Sequence, residues 1–413
     1  MSHSVNAVFF IAGFISICSP AIGFAAPQTL PVQQIAKLTP DDGGPYKYFG
    51  ISSTLSSDWV VVGAHYTNTG GAYVFNAKTG GQVSKLLPND FGASDEFGQS
   101  VAISGRRALV GAPSDSDQGA RSGSAYIFDV TTGAQLAKLL PSDGAANAVF
   151  GWSVAVDGDI AVIGAPSASP KGMSSGAAYV FNISTGAQLA KLVPNDGGYS
   201  NEFGGAVGIS GDRILVGAKG NDNYSGAAYV FSASTGAQMA KLVANDRSSG
   251  VRFSQALAID GDTAVIGAGL DGPNGQLSGS AYLFDLTTGQ QRAKITPHDG
   301  AANDRFGDSV AISGSVAVVG AFNKPASAGA AYLFDAVTGV ELAKVLPEGG
   351  AGEMRFSNSI GISANRLVFG AYQDGANGIN SGAAFLFTIP EPSGLALLAT
   401  GALAALLRTG RRA

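Results

Sequence analysis

Residues 150–193 read FGWSVAVDGDIAVIGAPSASPKGMSSGAAYVFNISTGAQLAKLV. Four short segments stand out, SVAVD (153–157), IAVIGA (160–165), AAYVFN (177–182) and QLAKLV (188–193). They are rich in Val, Ile, Tyr and Phe and are separated by turns containing Gly, which predicts four β-strands, A to D. Strand B is apolar on both faces, so it should be covered on both sides. Asp157-Gly158-Asp159 fits a two-residue hairpin turn, where Asp-Gly supplies positive φ.

The unit recurs seven times. A Phe-Gly or Phe-Ser pair begins at Phe49, Phe97, Phe150, Phe203, Phe253, Phe306 and Phe356, at spacings of 48, 53, 53, 50, 53 and 50. Thirteen residues after each Gly or Ser comes Gly-Ala, at Gly63, Gly111, Gly164, Gly217, Gly267, Gly320 and Gly370, an interval that never varies. An aromatic-x-Phe triplet follows at Tyr73, Tyr126, Tyr179, Tyr229, Tyr282, Tyr332 and Phe385. Seven such sheets predict an all-β fold, a seven-bladed β-propeller with four antiparallel strands per blade, over residues 34–388. After the last strand C, AAFLF (383–387), no Thr-Gly turn and no AKL segment follows, yet QIAKL (34–38) stands alone at the start. That N-terminal strand is expected to complete the last blade, whose strand C would otherwise be a bare apolar edge.

Composition agrees with this reading. Of 413 residues 59 are Gly and only 13% are charged, about half the usual share, while 45% are hydrophobic. The net charge of −5 offers nothing to a polyphosphate backbone, so no nucleic-acid partner is expected. The one Cys, Cys18, lies near the N-terminus, so a chain processed beyond it has no disulfide and no thiolate metal site. The three His residues, His3, His65 and His298, are far apart in sequence, which argues against a His-based cluster.

The two ends read as addresses. An apolar run at 5–17 and the small-x-small pattern Gly23-Phe24-Ala25 predict a signal peptide, residues 1–25, cleaved after Ala25 and followed by a lead-in, 26–33. Its n-region carries no Lys or Arg. At the other end Pro390-Glu391-Pro392 precedes a 14-residue apolar stretch, Gly394–Leu407, and then Arg408, Arg411 and Arg412. The stretch is short for a bilayer span, but arginines beyond it would hold it from the cytoplasmic side. Residues 389–413 resemble the PEP-CTERM sorting signal, with a loosened Arg cluster. That resemblance implies export from a Gram-negative cell, transient insertion in the inner membrane through the C-terminal helix, processing by an exosortase-like enzyme, and association with exopolysaccharide.

The motif order FGxSVAxxGDxxVxGAP followed by GAAYVF resembles the FG-GAP repeat of integrin-α-like propellers in all seven copies. Copies five and seven depart at Ser254 and Ser357, and the Pro of Gly-Ala-Pro remains only as Pro113 and Pro166. Many FG-GAP repeats carry a calcium loop between strands A and B. Here those connections are SGRR, DGDI, SGDR, DGDT or SGSV, too short and too poor in carboxylates for an ion that needs six to eight oxygens, so no metal and no cofactor is expected. FDVTTGAQLAKL (128–139) also resembles repeats of PQQ-dependent dehydrogenase propellers, but those place Trp soon after the Thr-Gly turn, whereas Trp59 and Trp152 lie elsewhere.

Two repeated charges need a reading. Lys37, Lys85, Lys138, Lys191, Lys241, Lys294 and Lys344 recur in strand D, where Lys guards an exposed edge. Asp42, Asp90, Asp143, Asp196, Asp246 and Asp299 stand five residues after the first six, with Gly349 in the seventh place, and Asp beside Gly in a loop commonly accepts from backbone amides. Strand parity puts the A–B and C–D turns on one face and the variable B–C loops and D–A connections on the other. Variable loops on a rigid frame make binding surfaces. Asp115, Asp117, Asp222, Asn223, Tyr224, Asp271 and Asp374 are the candidate ligand residues there, with Asp115-x-Asp117 a weak cation signal. The expected function is non-enzymatic binding or adhesion at the cell envelope or in an exopolysaccharide matrix, with a polysaccharide or a surface protein as partner. An enzyme acting on extracellular glycans (or quinone-dependent) and a structural spacer are the alternatives.

Overall fold

The computed structural model describes residues 30–65, 70–90, 92, 94–324, 328–349 and 353–390. Ala25, Glu391, Pro392, Arg408, Arg411 and Arg412, and with them the signal-peptide and sorting readings, lie outside these residues; Pro390 is the last inside them. No helix among the described residues is long and apolar enough to cross a membrane.

Seven four-stranded antiparallel sheets form the propeller. In blade 3 the strands are Ser153–Asp157, Ile160–Ala165, Ala177–Asn182 and Gln188–Leu192, in that spatial order. The A–B connection is the expected two-residue turn, with Asp157 opposite Ile160 and Gly158 at φ 56°. Strand B is buried along nearly its whole length in every blade, for example Ala161–Ala165. One hydrophobic cluster straddles each blade boundary. Between blades 2 and 3, Leu109, Ile127 and Leu139 meet Ile163, Tyr179 and Phe181. Burying a side chain of this size stabilises by about 1.5–3 kcal/mol, so each sheet depends on its neighbours for its core.

The Phe of each Phe-Gly pair is fully buried and meets the strand C aromatics of its own blade edge-on. Phe150 lies 5.5 Å from Tyr179 and 5.9 Å from Phe181 between ring centroids. Its backbone N–H donates to Ser122 O of the preceding blade. The constant 13-residue interval is also a register. Gly151 N–H donates to Gly164 O at 3.1 Å, and the same pairing joins Gly50 to Gly63 and Gly98 to Gly111. Both members also face the adjoining blade. A Cβ on Gly164 would lie 2.0 Å from Gly204 O, and one on Gly151 would lie 2.3 Å from Ser124 O.

Blades 5 and 7 keep this geometry with Ser in place of Gly. Ser254 and Ser357 hold φ of 72° and 69°, and their hydroxyls donate to Ala227 O and Ala330 O, both at 2.7 Å. Ala218 N–H donates back to Ser254 Oγ at 3.1 Å, so a hydrogen bond occupies the space that the missing side chain leaves elsewhere.

Gln33–Leu38 closes the ring as the outermost strand of the sheet formed by Ile360–Ser363, Arg366–Ala371 and Ala383–Thr388. Gln33 lies opposite Thr388 and Leu38 opposite Ala384. A side-chain bond repeated around the ring includes this junction: Glu348 N–H donates to Gln34 Oε1 at 2.8 Å, as Ser142 N–H does to Gln188 and Asn195 N–H to Gln238. Deleting Gln33–Leu38 should lower the melting temperature by 10 °C or more, roughly, and produce soluble aggregates, because strand Ala383–Thr388 then becomes an open apolar edge. Scanning calorimetry with size-exclusion chromatography measures this; a deletion variant that melts as the parent does would rule out closure by this strand.

Candidate functional site

The two repeated charges bind one another. Six of the seven strand D lysines reach the Asp that comes after strand D of the preceding blade. Lys85 meets Asp42 at 2.7 Å, Lys241 meets Asp196 at 2.6 Å, Lys294 meets Asp246 at 2.5 Å and Lys344 meets Asp299 at 2.7 Å, while Lys191 pairs with Asp143. The ammonium also lies over the strand C aromatic ring, 5.4 Å from its centroid for Lys85 on Tyr73 and Lys191 on Tyr179. The lysines are therefore blade-to-blade ties and not edge guards, and these aspartates accept from side chains and not chiefly from amides. Burial pushes Asp42 up, but the Lys85 ammonium and the Tyr73 hydroxyl outweigh it and hold the carboxyl at about 2. In the seventh place, where the Asp is replaced by Gly349, Asp374 of the B–C loop takes Lys37 instead, at 2.8 Å.

This ring absorbs most of the candidate residues. Asp115 is buried, accepts from the Tyr126 hydroxyl at 2.7 Å and meets Lys138 at 3.0 Å. Asp117 and Asp90 meet the same ammonium at 2.5 and 2.6 Å. The three carboxylates have the spacing of a metal site, and the cation standing among them is Lys138. Asp271 meets Lys294 at 2.7 Å and accepts from Ser280 Oγ at 2.7 Å. Asp222, Asn223 and Tyr224 lie together in one tight turn at φ 49°, 55° and 60°. Asp222 pairs with Arg247 at 2.6 Å, Asn223 O accepts from Ser249 Oγ, and Tyr224 lies under the Arg252 guanidinium. These seven residues do not converge on one site: they are spread over blades 2, 4, 5 and 7.

A concavity among the described residues of the loop face lies elsewhere. A hollow of about 570 Å³ opens where blades 2, 3 and 4 meet, lined by Arg121, Asn147, Val149, Trp152, Met173, Glu202, Lys219 and the serines Ser167, Ser169 and Ser174. Its polar lining includes the Lys219–Glu202 ion pair at 3.2 Å. Trp152 also lines the narrow axial channel, so it forms a wall shared by the two spaces. The position after Phe-Gly or Phe-Ser carries Ile51, Gln99, Trp152, Gly205, Gln255, Asp308 and Asn358 in the seven copies. That variable column, set inside an otherwise constant motif, is the sequence signal that marks the site. In the next blade the same column carries Gly205, where an added Cβ would meet only Glu202 O, at 3.2 Å.

The same column puts one carboxylate in the channel. Asp308 is 7% exposed and accepts from Gln255 Nε2 at 2.9 Å. Burial pushes it up to about 6, and Arg305, Arg252 and Lys219 only partly offset that.

The FG-GAP repeat matches seven segments of this ring, residues 32–75, 81–128, 134–181, 187–231, 237–284, 290–334 and 340–387. The chain belongs to the FG-GAP repeat family. Each matched segment begins in one blade's strand D and ends in the next blade's strand C, the same offset that leaves Gln33–Leu38 to close the ring. No curated relative matches the chain.

The charge network can be tested at Lys138. Lys138→Met leaves three carboxylates around an uncharged thioether and should cost about 2 kcal/mol, less than a fully buried pair because Asp90 and Asp117 are half exposed. Asp115 titrates below its usual range: burial pushes it up, but the Tyr126 hydroxyl and the Lys138 ammonium prevail. The stabilisation therefore exists at neutral pH and is lost as pH falls through the folded-state pKa, so the melting curves of parent and variant should converge below about pH 4. A constant difference at every pH would refute the charge account.

Asp308 has the opposite sign. Its raised folded-state pKa costs stability as pH rises from 4 to about 6, a cost of about 3 kcal/mol by the linkage relation. Asp308→Asn keeps the acceptor for Gln255 and should melt higher than the parent at pH 7 and equally at pH 4. A variant that melts lower at pH 7 would show that the ionised carboxylate is favoured in the channel.

Proposed function

We propose that this protein is an exported, non-enzymatic binding or adhesion module of the cell envelope or exopolysaccharide matrix of a Gram-negative cell, with a polysaccharide as its partner. The FG-GAP propeller fold is consistent with an extracellular binding role, and the family is typically non-catalytic. The observation that carries the reading is the unequal treatment of the two faces. One face has two-residue A–B turns, as at Asp157–Ile160, and C–D turns of four or five residues, whereas the other carries loops of variable length and the hollow at Trp152. A concave site with an aromatic wall and several hydroxyl and amide groups has the makeup of a small-ligand site. In this reading the C-terminal Pro-Glu-Pro segment directs sorting, and an exosortase-like enzyme removes the apolar stretch and the arginines beyond it.

A glycan array probed with the purified protein tests the proposal. The parent should retain a defined subset of glycans without cleaving them, and Trp152→Ala should lose at least about tenfold in affinity while keeping the circular dichroism spectrum of the folded propeller. Intact mass of protein recovered from the surface of producing cells should end near Pro390. Release of shortened glycan products would favour the enzyme, and an empty array would favour a spacer.

A further inference from the structure

We propose that the hollow between blades 2, 3 and 4 takes an acidic saccharide, one bearing a carboxylate or sulfate, with Arg121 as its anion-binding residue and Trp152 as its stacking wall. This rests on the binding function proposed above and specifies its ligand class.

Nearly all the arginines and lysines of the described ring are engaged. Arg106 meets Asp129, Arg107 meets Asp159, Arg213 pairs with Asp262, and Arg292 meets Asp285. On the loop face Arg247 meets Asp222, Arg305 faces Asp308, and Arg355 donates to Gln373. Lys171 donates to Pro194 O, and Lys324 meets Asp304. Arg121 is the exception. Its backbone N–H donates to Ser116 Oγ, but its guanidinium has no side-chain or carbonyl partner among the described residues. It is exposed, held at φ 52° on the B–C loop of blade 2, and it borders the hollow.

The surroundings turn that free cation into a site. The lining carries two cations, Arg121 and Lys219, against one carboxylate, Glu202, and Glu202 already neutralises Lys219. One positive charge therefore remains in a concavity of a chain whose net charge is −5. A guanidinium presents a planar fork of donors that fits a carboxylate or sulfate in bidentate fashion. Trp152 lines the same hollow, and an indole has a flat apolar surface with an N–H at its edge, which suits the C–H face of a sugar ring. Asn147, Ser167 and Ser174 supply both donors and acceptors for ring hydroxyls. A volume of about 570 Å³ is within the ordinary range for small-ligand sites. An anionic peptide could also meet Arg121, but it would leave the hydroxyl-rich wall without partners.

Isothermal titration calorimetry with trigalacturonic acid and with neutral galactotriose decides the matter, using the purified protein and its Arg121→Gln and Trp152→Ala variants. Arg121 is exposed, so the melting temperature of Arg121→Gln should equal that of the parent. We expect trigalacturonic acid to bind at least about tenfold more tightly than galactotriose, with affinity falling as salt rises. Arg121→Gln should remove that preference, bringing trigalacturonic acid down to the affinity of galactotriose, and Trp152→Ala should weaken both. Equal affinity for the two sugars, with both lost in Trp152→Ala, would overturn the acidic ligand while leaving the binding function intact. Equal binding of a triglutamate peptide would overturn the saccharide. Absence of binding to either sugar would overturn this inference, and the glycan array would then judge the broader reading separately.

Discussion

Backbone meets backbone at every blade boundary, and that approach governs the rest of the ring. A Cβ on the Gly of any Gly-Ala pair would come within about 2.5 Å of the next blade's Phe-Gly or Phe-Ser carbonyl, as at Gly111 against Gly151 O. Only a residue without a side chain lets two sheets approach so closely. The partner Gly of the hairpin stands opposite it in register, so the two glycines must keep a constant separation along the chain. Strand A serines exploit the same approach: Ser100 Oγ and Ser153 Oγ donate to Gly151 O and Gly204 O across the boundary, both at 2.8 Å. Where Ser replaces Gly, at 254 and 357, the positive φ is retained and a hydroxyl bond takes the available space.

This constraint explains how much of the fold could be read from the chain. A backbone contact repeated seven times leaves seven copies of one glycine spacing, and the unmatched QIAKL segment identifies the closing strand. Side-chain pairing left no comparable trace. Lys85 and Asp42 are 43 residues apart and belong to different blades, and nothing in either local sequence names the other. Read singly, the lysines look like edge guards and the aspartates like amide acceptors. Only the stacking of one sheet on the next brings an Asp of one copy to the Lys of the following copy. Asp374 shows the limit most clearly. It lies in a variable loop and reads as a ligand residue, but it binds Lys37, as Asp115 and Asp271 at the same loop position bind Lys138 and Lys294.

The hollow at Trp152 was hidden for a related reason. It draws on three consecutive blades, and no one copy contains enough of it to form a motif. A seven-fold frame makes all boundaries alike, so a site must come from departures from the repeat. Trp152 and Gly205 are such departures in adjacent copies of one column, one adding bulk and the other removing it. Asp308 is a third departure, a carboxylate retained in a channel where it is disfavoured in its charged form.

Ring closure has a consequence for presentation. Gln33 and Thr388 face one another at the start of strand D and the end of strand C, so both leave the ring on the face of tight turns. The hollow opens on the opposite face. A protein tethered through either end would thus hold its concave surface outward, pointing away from its attachment, whichever end carried the tether. Because the two exit points are adjacent, a pull applied between them would open the antiparallel Gln33–Leu38 pairing one rung at a time. A pull between one end and a ligand in the hollow would instead pass through the packed blades, so the ring is oriented to bear load between its anchor and what it holds.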